Sequence, residues 1–96
     1  MNVVKLLGHF CTVSASTNGE VSVREDYKWR EGDGFYYATF LACDGAWIEV
    51  RVADSYFEHF MSHFVEGHEV VQLEGHLRTD VSLGTGVVHN YIAIGY

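Results

Sequence analysis

Residues 46–67 read AWIEVRVADSYFEHFMSHFVEG, and the two halves of this stretch follow different periods. In the first half Ile48, Val50 and Val52 alternate with Trp47, Glu49 and Arg51. That is the period-two pattern of a strand with one face in a core and the other facing outward. From Asp54 or Ser55, either of which suits an N-cap, the period lengthens. Phe57, Phe60 or Met61, and Phe64 then share one stripe, which predicts a single helix to about Val65 with Gly67 as its stop.

On either side of this strand–helix junction the chain reads as short strands. Phe35 to Cys43 is rich in aromatic and β-branched residues, and Asp44-Gly45 turns it into the Trp47 strand. Val3 to Val13 puts Val4, Leu6, Gly8 and Phe10 on one side, with Lys5 and His9 on the other. Asn18-Gly19 is the pair that a tight hairpin turn favours, since both positions tolerate positive φ, and the chain returns through Val21 and Val23. Glu25 to Gly34 is a charged excursion ending in the turn Gly32-Asp33-Gly34. Beyond the helix Val71, Leu73, Gly75 and Leu77 alternate with Gln72, Glu74, His76 and Arg78, and after a turn near Gly84 the last strand runs from Val87 to Tyr96.

Five strands with one helix between the third and fourth is the order of the OB-fold, a five-stranded all-β Greek-key barrel. An SH3-like barrel also uses short strands, but the full helix at this position favours the OB order. The 96 residues suffice for one domain spanning 1–96, and 48% hydrophobic content is ample for its core. No apolar run approaches the roughly 20 residues of a membrane span, and Met1 to Phe10 lacks the apolar core of a signal peptide, so a cytoplasmic protein is expected. Cys11 and Cys43 both fall in strand context, where a free cysteine acts as a small hydrophobe, and a reduced compartment fits them.

Four segments resemble bacterial single-stranded DNA-binding proteins. Asn2-Val3-Val4-Lys5-Leu6-Leu7-Gly8-His9-Phe10 is similar to that family's N-x-V-x-L-x-G-x-L opening. Ala38-Thr39-Phe40-Leu41-Ala42 resembles its A-N-F-S-L-A strand, and Trp47-Ile48-Glu49-Val50-Arg51-Val52 its W-H-R-V-V-V strand. The most specific segment, Val71-Gln72-Leu73-Glu74-Gly75-His76-Leu77-Arg78-Thr79, is close to V-x-V-E-G-x-L-R-T. The resemblance extends to primosomal replication proteins of the same fold. It implies a non-catalytic OB-fold of DNA replication, recombination or repair that assembles as a homodimer or homotetramer. Where the family has Arg two residues past its Trp this chain has Glu49, and its usually basic hairpin reads Asp80-Val81-Ser82-Leu83-Gly84. The last strand ends at Tyr96 without the family's acidic tail, so any recruitment of replication proteins is expected from the folded surface.

An OB-fold holds single strands by stacking bases on exposed aromatics while cations follow the phosphates. Trp47 and Arg51 share one strand face and supply both kinds of group. Tyr27-Lys28-Trp29-Arg30 interleaves two aromatics with two cations, so Lys28, Arg30 and Trp29 are candidates in a gripping loop. Tyr37, Thr39 and Leu41 share a face opposite Phe40 that suits a base platform or an interface, and Arg78 is a further phosphate candidate, although Asp80 stands ready to pair with it.

Against this stands a net charge of −7, with six Lys plus Arg and thirteen Asp plus Glu, in a class of ligand bound largely through phosphate. The alternative is an acidic protein-interaction barrel, a complex subunit or inhibitor with weak or no DNA binding. It gains if Glu25, Asp26, Glu31, Glu49 and Glu74 converge on the Trp47 face. His59 and His63 have the spacing of a helical metal pair but are short of zinc's usual four ligands, and no metal or other cofactor is expected. Gly84-Thr85-Gly86 lacks the Lys of a phosphate loop, and no catalytic triad or carboxylate pair is evident.

Overall fold

A computed structural model describes residues 2–24, 27–62 and 70–96. In chain order the elements are β1 (Val4–Ala15), β2 (Val21–Arg24), β3 (Arg30–Glu31), β4 (Phe35–Ala42), β5 (Trp47–Ala53), α1 (Asp54–Ser62), β6 (Val71–Val81) and β7 (Val88–Ile94). The strands close into a ring. β1 pairs with β4, β4 with β5, β5 with β7, β7 with β6, and β6 returns to β1. The β5–β7 pairing is parallel and the others are antiparallel. A parallel pair needs a long connection between its members. Here α1 and β6 supply it.

Closure depends on the length of β1. Its first part, Val4 to Gly8, pairs with β6; Gly8 to Cys11 pairs with β4; and Thr12 to Ala15 pairs with β2. Gly8 therefore faces Val71 on one side and Ala42 on the other. A methyl group at Gly8 would collide with the Leu41 carbonyl oxygen and come 2.8 Å from the Ala42 Cα, so only glycine lets the two strands converge there.

The alternation seen in the sequence fills the ring. Phe10, Phe40, Val50, Val52, Leu73, Ile92 and Ile94 form the buried core, each large side chain contributing about 1.5–3 kcal/mol by leaving water. Phe57 and Phe60 of α1 pack against this core, as do Tyr27 and Trp29 from the segment before β3. The Phe10 ring lies 4.9 Å from Trp29, which in turn lies 5.2 Å from Phe57 and 5.9 Å from Phe60. No described helix is long and apolar enough to cross a membrane.

The local differences from the sequence reading have physical causes. The β1–β2 turn has positive φ at Gly19 alone, not at Asn18. Gly19 donates its amide to the Ser16 carbonyl, and the Asn18 side chain accepts from the Ser16 hydroxyl and from the Glu20 amide, so the longer glycine-bulge turn replaces the two-residue one. Cys43 lies beyond the end of β4, in the turn, and is exposed; Cys11 is buried, and burial pushes its thiol pKa up. Asp54 stands within the first helical turn. The expected helix end near Val65, its stop at Gly67 and the stripe residue Phe64 lie outside the described residues.

Candidate functional site

The outer face of β4, β5, β7 and β6 is assembled by register. Directly opposed residues of neighbouring strands share a face. One row runs Arg30, Tyr37, Arg51; the next Thr39, Glu49, Tyr91, Arg78; and a third begins Leu41, Trp47. Three-dimensional closure thus places Arg30, Tyr37, Trp47, Arg51 and Arg78 on one continuous surface, although 48 residues separate Arg30 from Arg78 in the chain.

Trp47 is 51% exposed at the rim of this face. Tyr37 is half-buried, its ring 5.9 Å from Phe35. Beside it Lys28 and Arg30, both exposed, line a groove of about 200 Å³ with Tyr27, Tyr37, Thr39 and Glu49. Among the described residues no carboxylate pairs with Lys28, Arg30 or Arg78. Arg78 lies with its guanidinium 5.9 Å from the Tyr96 ring, because its expected partner Asp80 points elsewhere.

Asp80 instead reaches Arg51. The Arg51 side chain is 15% exposed, with Nε donating to Glu49 Oε2 at 2.5 Å and a terminal nitrogen to Asp80 Oδ2 at 2.5 Å. Its guanidinium stacks 3.9 Å from the centre of the Tyr91 ring and 4.7 Å from that of Phe35. Burial pulls its pKa down, but the hydrogen bonds and charges of Glu49 and Asp80 outweigh that and leave it above the ordinary arginine value. His89 Nε2 stands 3.4 Å from the same Glu49 oxygen. Arg51 is therefore the centre of a neutralising cluster and not an open cation.

Trp29 does not join this surface. Its ring is wedged among Phe10, Phe57 and Phe60, where it stabilises the end of the barrel. Of the helical histidines, His59 meets the Tyr56 ring edge-on at 4.9 Å, and His63 lies outside the described residues. Of the acids named above, Glu49 joins the Trp47 face, and Glu74 shares the outward parity of Arg78 on β6. Glu31 is opposite Tyr36, one residue out of phase with the Arg30–Tyr37 pair, and Glu74 is opposite Lys5 across β1 and β6. Glu25 and Asp26 lie outside the described residues. Among the described residues of these rows, Glu49 and Asp80 are the carboxylates, and both contact Arg51.

The chain carries six Lys plus Arg. Four of them, Lys28, Arg30, Arg51 and Arg78, are on or beside this face, against two carboxylates, a local balance of +2 with His89 neutral. Phe35, Tyr91, Asp80 and His89 are the members of the surface that sequence reasoning missed. Strand parity could have put Tyr91 outside, but the meeting of Arg51 with Asp80 depends on which strands become neighbours. Compared with family models, with curated proteins and with solved structures, the chain matches none.

Proposed function

We propose that this protein is a non-catalytic OB-fold that binds single-stranded DNA, acting in DNA replication, recombination or repair. The observation that carries the reading is the charge segregation: a chain of net charge −7 collects four of its six cations around one strand face that also bears an exposed tryptophan. The ring order β1–β4–β5–β7–β6, with a helix before β6, also supports it, since the OB barrel has that connectivity. A base would stack on Trp47 and a second on Tyr37, each contact contributing roughly 1–3 kcal/mol. Lys28, Arg30 and Arg78 would meet phosphates. Arg51, held by two carboxylates, would position Glu49 and Tyr91 rather than grip the strand.

Tryptophan fluorescence titrated with oligo-dT at low salt tests the proposal directly. Trp29 is packed into the barrel end, so quenching is expected from Trp47 and should vanish in Trp47→Phe. Absence of quenching and of a mobility shift, with Trp47→Phe indistinguishable from the parent, would favour the acidic protein-interaction barrel instead.

A further inference from the structure

Where the row of Arg51 crosses β7, the outer face loses its long side chains. Ala93 lies between Arg51 on β5 and His76 on β6, and Gly95 follows two residues on. A methyl group at Gly95 would meet the Tyr56 Cβ at 2.5 Å, so glycine there lets α1 close against the end of β7. The small residues leave a cleft of about 400 Å³, lined by Tyr56, Tyr96, Glu74 and His76. A second cleft of about 310 Å³ adjoins it, lined by Asn2, Leu77 and Arg78 together with the same His76 and Tyr96. Cavities of this size accept small ligands.

Asn2 fixes the polar groups of this double cleft. Its side chain donates to the Leu77 carbonyl and accepts from the Leu77 amide, both at 2.8 Å. Its own carbonyl accepts from His76 Nδ1 at 2.6 Å. A carbonyl oxygen only accepts, so Nδ1 carries the proton and Nε2 of the neutral ring keeps a free lone pair. Among the described residues neither Nε2 nor the Glu74 carboxylate has a hydrogen-bond or ion-pair partner. Glu74, His76 and Arg78 hold alternate positions of β6 and share one side of it, with about 13 Å between the first and the last. The Tyr96 ring, 54% exposed, lies beside them, its centre 5.9 Å from the Arg78 guanidinium.

We propose that this double cleft binds one nucleotide with a guanine base. A carboxylate presents two acceptors side by side. Guanine alone among the DNA bases sets two N–H donors side by side on its Watson–Crick edge, whereas adenine, cytosine and thymine place an acceptor beside each donor. Glu74 therefore selects guanine, and its charge strengthens both bonds. The base lies against the Tyr96 ring, and the phosphate meets the donor fork of Arg78. The spacing of Glu74 and Arg78 matches the length of a nucleotide from that edge to its phosphate. His76 Nε2, midway, accepts from the sugar hydroxyl of a free nucleotide, a contact that a nucleotide inside a DNA strand lacks. The cleft shares Arg78 with the Trp47 face and needs none of that face's other residues.

Calorimetric titration of the full chain with each deoxynucleoside 5′-monophosphate tests the proposal. dGMP is expected to bind at least about tenfold more tightly than dAMP, dCMP or dTMP, a factor within reach of hydrogen bonds to a charged group. Glu74→Gln keeps the shape but exchanges one acceptor for a donor, so it should erase that preference, while Arg78→Gln should weaken all four alike. Both positions are exposed, and circular dichroism matching the parent's checks that each variant is folded. Trp47 takes no part in these titrations, so a failure of oligo-dT to quench its fluorescence leaves them unaffected. Octamers of dT with and without one central dG separate the two sources of the nucleotide. A preference for the dG octamer that Glu74→Gln removes assigns the guanine to a strand; no such preference, beside selective dGMP binding, assigns it to a free nucleotide. No heat with dGMP at millimolar concentration, equal binding of all four nucleotides, or a dGMP preference that survives Glu74→Gln would overturn the proposal.

Discussion

Arg51 shows how a residue that looks like a ligand group becomes a structural one. Its position on the Trp47 strand is compatible with phosphate contact, but two carboxylates and two rings already surround its guanidinium and leave the side chain 15% exposed. Asp80 is the exposed member of that cluster, and its charge subtracts from the basic face. Asp80→Asn keeps an acceptor for Arg51 while raising the local balance from +2 to +3. Affinity for oligo-dT at low salt is expected to rise by about two- to fivefold, the size of a solvent-exposed charge effect, with the gain shrinking as salt is added. Fluorescence titrations of both proteins at two salt concentrations check this. Trp29 carries the complementary lesson. An aromatic between two cations suggests a ligand contact in sequence, yet packing with Phe10, Phe57 and Phe60 claims it for the core.

At the level of elements, β1 decides whether the ring closes. It changes partner at Gly8, where the β4 backbone at Leu41 and Ala42 approaches too closely for a side chain. Gly8→Ala is expected to cost about 2–4 kcal/mol, at the severe end for a single added methyl group, because the obstacle is backbone that cannot rotate aside. Urea unfolding followed by circular dichroism measures it. Gly84→Ala, in an open turn with nothing within 4 Å, is the control and should stay within about 0.5 kcal/mol. Most elements were legible from alternation and turn residues: β4, β5, the start of α1, β6 and β7 all lie where period-two or helical patterning put them. Two features were not. The two-residue β3 is too short to show a period, and the segment before it looked solvated although its aromatics turn inward. Leu77 follows the core-facing alternation of β6 and is nevertheless exposed, since alternation records the side of a strand and not whether anything covers it.

For the whole molecule the question is how an acidic protein could hold a polyanion. Net charge governs long-range approach, but contact energy depends on the local face, and screening over about 10 Å at ordinary salt separates the two. With Lys28, Arg30 and Arg78 as the cations of this face that pair with no carboxylate among the described residues, the logarithm of affinity should fall against the logarithm of salt with a slope of about −2, from roughly 0.7 per phosphate contact on a single strand. Replacing any one of the three by Gln should flatten that slope by about 0.7, whereas Trp47→Phe should lower affinity without changing it. A slope unaffected by all three replacements would show that phosphate binding lies elsewhere.

The sequence by itself determined the alternating strands, the single helix between β5 and β6, and the outward placement of Trp47, Glu49 and Arg51, because side-chain direction in a strand follows from parity alone. Only the tertiary structure decided which residues share a surface. Sheet order brings Asp80 to Arg51 across 29 positions, gathers Arg30 and Arg78 on one face, and leaves the tip of β6 and β7 uncovered. Neighbourhood across a closed ring depends on strand order and register, and neither is written in the local pattern of any one strand.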